Sequence, residues 1–120
     1  MNPIAEVWEF VGTELSHAGY PVYEFPNGTV KHQIVLVEAN VVGEQIQKDY
    51  LNGTVDFEID VLGSDKAKVL ADMGTLGNMF KGKWDNGFEG IGDGTTSGLS
   101  VQKIEGNWFF AGKVVLRFKV

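Results

Sequence analysis

Residues 54–61, TVDFEIDV, alternate without a break. Side chains on a strand have a period of two, so Val55, Phe57, Ile59 and Val61 share one face. Asp56, Glu58 and Asp60 share the other. Such a strand belongs to a sheet with one apolar face, and that face needs a cover.

The sequence supplies two candidate covers. Ile4, Val7, Trp8, Val11, Leu15 and Ala18 recur at helical spacing, with Glu6, Glu9, Thr13, Ser16 and His17 on the opposite side. Asn2 is placed to cap this helix and Pro3 fits its first position. Gly19 suits the left-handed residue after its end, and Pro21 blocks resumption. A second helix starts near Asp65 with Ser64 as its cap. Its apolar positions are Val69, Leu70, Met73, Leu76 and Phe80. Gly74 and Gly77 each cost about 1 kcal/mol in a helix interior, so its end or a break is expected at Gly74.

The remaining elements read as strands. YPVYEF is a short extended piece between two prolines. QIVLVEANVV (33–42) is β-branched and nearly continuous, as in a central buried strand. GEQIQKDYLNG reads as a polar connection leading hairpin-like into 54–61, so these two strands are expected to be antiparallel. Residues 81–98 hold six glycines and read as a long, mobile connection. Two closing strands are expected near 99–105 and 108–120, with a turn at Glu105-Gly106-Asn107 and a bulge at Ala111-Gly112. On the last strand Lys113, Arg117 and Lys119 share a face with Val115. Asn27-Gly28-Thr29 and Asn52-Gly53-Thr54 match the glycosylation sequon and read as turns.

The expected fold is therefore α+β, in the order α-β-β-β-α-β-β. A mostly antiparallel sheet carries both helices on one face. At 120 residues the chain reads as a single domain, 1–120, with protrusions at about 43–53 and 81–98.

Composition excludes several functions. There is no cysteine, so disulfides and thiolate metal sites are out. MNPIAEVWEF has neither a basic start nor a long apolar run, so no secretion signal or membrane span is expected. Net charge is −6 and Arg117 is the only arginine, so a nucleic acid would be repelled rather than gripped. No catalytic, cofactor or metal motif is present. His17 and His32 read as solvated. Asp85-Asn86-Gly87 to Asp93-Gly94 lacks the spacing and closing glutamate of a calcium loop.

The Asp56, Glu58, Asp60 ladder has two main readings. A neighbouring strand bearing Lys113, Arg117 and Lys119 would neutralise it. Otherwise it faces solvent or a lumen. A metal site fits poorly, because i, i+2 side chains lie in a line rather than around a point. Trp84, Trp108, Phe109 and Phe110 suit either interface or core.

The element order resembles that of the tail terminator proteins of long-tailed bacteriophages. IAEVWEFVGTELSHAGYPVY is similar to their opening amphipathic helix, with a Gly-Tyr-Pro-Val step into a first short strand. QIVLVEANVV and TVDFEIDVLG look like their strand pair, GSDKAKVLADM like the opening of their second helix, and closing strands follow. The resemblance concerns layout over nearly the whole chain and carries no diagnostic motif. It implies a structural virion protein rather than an enzyme, without cofactors. Such a protein forms a hexameric ring on the tail tube protein, stops tube polymerisation and joins the head-completion protein. It is built in the host cytoplasm and sits in the virion at the head–tail junction, and DNA passes through its lumen. The resemblance makes Asp56, Glu58 and Asp60 lumen residues, which would let DNA slide. Tyr50, Leu51, Trp84 and Phe88 are the expected interface residues. Other head–tail connectors or tube rings are close alternatives. A small-ligand module or small enzyme, with a pocket lined by Tyr23, His32 and aromatics, is the alternative from another class.

Overall fold

The computed structural model describes residues 3–47, 50–80, 84–85, 88–92 and 96–119, with side chains described at 4–40, 55–80 and 98–118. The elements run α1 (Pro3–His17), β1 (Val22–Tyr23), β2 (His32–Gln47), β3 (Tyr50–Gly63), α2 (Lys66–Met79), β4 (Trp84–Asp85), β5 (Phe88–Gly92), β6 (Thr96–Ile104) and β7 (Asn107–Lys119). One sheet has the order β1-β2-β3-β7-β5-β4, and β6 also pairs with β7. Every pairing is antiparallel except β1 with β2. This is the α+β architecture expected from the alternation.

Val55, Phe57, Ile59 and Val61 are fully buried, together with Val7, Val11 and Leu15 of α1 and Val69 and Leu76 of α2, and Phe80 just after α2 is buried beside them. Both helices thus cover the same face of the sheet. Phe10, Phe80 and Phe118 meet edge to face across the core, with ring centroids 5.7–6.1 Å apart. The α1 stripe is narrower than its spacing suggested: Ile4 and Ala18 are exposed. The helix ends with Gly19 at φ 90, and Tyr20 N–H returns to Leu15 C=O at 3.1 Å.

Several elements depart from the sequence expectation. Asp65, not Ser64, caps α2, its carboxylate accepting from the N–H groups of Ala67 and Lys68. The helix continues through Gly74 and Gly77 to Met79, because Val69, Met73, Leu76 and Phe80 all dock on the core and outweigh the glycine cost. Ala111-Gly112 is no bulge. Gly112 pairs in register with Val61 and Leu99, and a Cβ there would lie 2.2 Å from Met73 Sδ. The glycine makes room for α2.

Residues 81–98 contain β4, β5 and the start of β6 rather than one connection. β5 lies beside the end of β7, where Glu89 faces Lys119 and Gly90 faces Phe118. Backbone groups on that side of β7 need partners, and β5 supplies them. Similarly, the expected polar connection after residue 42 continues both strands, to Gln47 and from Tyr50. Asn52-Gly53-Thr54 lies inside β3, not in a turn, with Gly53 opposite Gly43. The last β3–β7 pair is Thr54 with Lys119, so from Gly43 and Gly53 outward the ladder is two-stranded. At about 3.3 Å per residue, the 16 residues of β2 account for the 47 Å long axis.

Candidate functional site: the uncovered face of the sheet

Strand alternation sends Asp56, Glu58 and Asp60 away from the helices. Their strand neighbours on this face are fixed by register. Asn40 faces Asp56 and Glu38 faces Glu58 on β2, while Arg117, Val115 and Lys113 face Asp56, Glu58 and Asp60 on β7. Four carboxylates therefore share the described part of this face with two cations.

The condition set for a neutralised ladder, adjacency of the two strands, is met. Arg117 donates to both oxygens of Asp56, at 2.8 and 3.0 Å. This contact pushes the guanidinium's pKa further up, first through the hydrogen bond and then through charge. Lys113 Nζ lies 3.4 Å from Glu58. Lys119 faces Thr54 in register. Among the described residues two acids have no cation in close contact. Glu38 sits directly across from Glu58, a like-charge pair, and accepts a hydrogen bond from Asn40 Nδ2. Asp60 has no hydrogen bond or close ion pair within the described structure. Burial pushes its carboxyl above the usual aspartate range. The charge of Glu58 adds to this, and Lys113 opposes it.

Beside Asp60 the face dips into a cleft of about 290 Å³. It is lined by the Ser100–Ala111 register pair with Gly98 and Leu99, and by Asp60, Gln102 and Lys113. The cleft owes its depth to small residues on adjacent strands and to the β6 register shift between Thr96 and Leu99. Asp60 and Lys113 stood out in the sequence. Ser100 and Gln102 did not, although their i, i+2 spacing in SVQ places them on one face.

The far end of the same face is closed by the 24–31 loop. Gln33 is fully buried under it. Its amide donates to the carbonyls of Asn27 and Val30 at 2.6 and 2.9 Å and accepts from Asn27 N–H at 2.9 Å. Gly28 N–H donates to Glu105 Oε2, and Asn107 donates to Gly28 C=O. Val35, Leu62, Phe109 and Ala111 form a second small core beneath. Asn27-Gly28-Thr29 is a turn as expected, closed by Asn27 Oδ1.

His32 is not solvated. Its Nε2 lies 2.5 Å from Asp72 Oδ2, tying β2 to α2, and its Nδ1 is buried without a hydrogen-bond partner. It does not line the cleft, nor does Tyr23. Burial, and secondarily the Asp72 charge, pushes the Tyr20 hydroxyl's pKa up. His17 is exposed. Phe109 is buried, Phe110 packs at the core margin and Trp108 is 64% exposed under Lys103. Tyr50 faces Gln47 in register, Leu51 faces Gln45, Trp84 faces Glu89 and Phe88 faces Asp85. The side chains of these four expected interface residues lie outside the described residues.

Together these features define a helix-backed sheet protein whose uncovered face is charged and cleft. Comparison with protein-family models, curated proteins and solved structures finds no match. Among the described residues no helix is long and apolar enough to cross a membrane.

Proposed function

We propose that this protein is a ring-forming structural component of a phage tail, with tail termination as the specific role. The observation that carries this reading is a single sheet whose outer strands on both sides lack further strand partners among the described residues, with an acidic face between them. Among the described residues, β2 has no strand partner on its outer side beyond the two pairs with β1. On the other side of β7, β6 pairs only with β7 among the described residues, and β4 ends the sheet beyond β5. Unpaired edges are templates for another chain, and two different edges on one subunit favour head-to-tail association. Head-to-tail contacts close into rings when the rotation allows. The two-stranded arm beyond Gly43 extends the surface available to a neighbour.

In such a ring the uncovered face would line the lumen. There Asp56 and Glu58 are held by their cations, and Glu38 and Asp60 supply the excess negative charge that keeps DNA from sticking. The ring would sit on the tail tube protein and present its other surface to the head-completion protein, in the assembled virion.

The test is native mass spectrometry of the purified chain, alone and after mixing with tail-tube extract. A ring of fixed copy number, free or on tube ends, supports the proposal. A monomer under both conditions overturns it.

A further inference from the structure

The cleft beside Asp60 sets its carboxylate among polar groups, Ser100 and Gln102, that neither the fold nor the ring reading uses. Asp60 brings a half-buried carboxylate without a close ion pair, Ser100 an exposed hydroxyl and Gln102 an exposed carboxamide, and none of the three makes a side-chain hydrogen bond within the described structure. Lys113 stands at the border, across from Asp60 in register, with its ammonium drawn 3.4 Å from Glu58. The cleft therefore offers the Asp60 carboxylate and, shared with Glu58, the Lys113 ammonium on adjacent strands, with neutral polar groups beside them. Its lining by Ala111, Ser100 and Gly98 leaves space where larger residues would fill it. That space, about 290 Å³, corresponds to roughly ten waters at ~30 Å³ each.

Ligand classes separate on this chemistry. An apolar molecule would strip water from three polar groups and return no hydrogen bonds. A divalent cation wants several carboxylate oxygens and here meets one carboxylate with an ammonium beside it. A simple organic cation satisfies Asp60 but leaves the Lys113 ammonium with no ligand group to meet it. A simple anion has the converse difficulty. A small zwitterion satisfies both, with its ammonium on Asp60 and its carboxylate toward Lys113. Ser100 and Gln102 are left to hydrogen-bond the remainder.

We propose that this cleft is a binding site for a free α-amino acid, recognised through its zwitterionic head by Asp60 and Lys113 and through polar contacts by Ser100 and Gln102. This reading is independent of ring formation. The raised pKa of Asp60 accords with it, since a bound ammonium would supply the missing counter-charge.

The experiment is a heteronuclear NMR titration of the full chain with a pool of L-amino acids with uncharged side chains at millimolar concentration. The tightest member is then compared with its own amide, which lacks the carboxylate, and its des-amino acid, which lacks the ammonium. Saturable shifts at the backbone amides of Ser100, Gln102 and Ala111 are expected. Both single-charge analogues and the variants Asp60→Asn and Lys113→Met should bind at least about tenfold more weakly, a difference of ~1.4 kcal/mol. The variants' unperturbed spectra away from the cleft separate lost binding from lost folding. No saturable shift with any amino acid overturns the proposal. So does an amide that binds as well as its amino acid with Lys113→Met silent, which would mark a plain cation site.

Discussion

Asp56 and Asp60 lie on the same face of the same strand, yet their surroundings set them apart. Asp56 is gripped by both arms of Arg117, whereas Asp60 looks into a cleft with Glu58 behind it. The sign of the consequence is definite. A carboxyl whose folded pKa is raised contributes stability that is fully present below its ordinary pKa, near 3.9, and is lost as pH rises through the folded value. Asp60→Asn should therefore unfold at higher urea than the parent near neutral pH. That advantage should shrink as pH falls and vanish only below about 4, under the ordinary carboxyl pKa. Urea midpoints of both proteins across this range check it, and an advantage that grows toward acid would refute the reading. Gly28 offers a sharper steric test. A Cβ there would lie 2.5 Å from Glu105 Cβ and 2.7 Å from the Ile104 carbonyl, both too close for contact. Gly28→Ala should cost about 1–3 kcal/mol as an overpacked site. Equilibrium unfolding decides this, and a neutral result would mean the 24–31 loop is not seated as described.

Among the elements, the most legible were those with unbroken periodicity. The alternation at 55–61 and the Val7, Val11, Leu15 stripe each specify one buried face, and both faces are fully buried. Elements that depend on a neighbour were less legible. Gly74 and Gly77 argue locally for a broken helix, yet the docking of four apolar residues carries α2 past them. Ala inserted at Gly74 would touch nothing within 4 Å. Gly74→Ala should thus raise stability by about 0.5–1 kcal/mol, read as a higher melting temperature. A lower one would mean the helix is interrupted there. Likewise β5 depends on the backbone of β7, and nothing in FEGIG announces that partner. His32 looked solvated because Asp72, its partner, is forty residues away. Between β2 and β3, Glu38 opposes Glu58, and among the described residues only Glu58 has a cation, Lys113, in close contact. Glu38→Lys should add about 0.2–1 kcal/mol to stability by making an opposite-charge pair. If this face lines a lumen, the same variant should lower DNA passage and infectious yield. Unchanged infectivity with a more stable protein would leave the ladder as sheet electrostatics alone.

At the scale of the whole molecule, the architecture followed from pattern because one-sided strands and amphipathic stripes admit few arrangements. The cleft was hidden because it forms where three strands meet, and register, not sequence distance, brings Asp60, Ser100, Gln102 and Lys113 together. The open edges were equally hidden, since an edge is defined by what fails to pair. They also carry the central claim, that copies of this chain join edge to edge into a closed ring. Native mass spectrometry, on the chain alone and with tail-tube extract, tests that claim most directly. The account predicts one closed oligomer of fixed copy number, free or formed on tube ends. A strict monomer in both samples would contradict it.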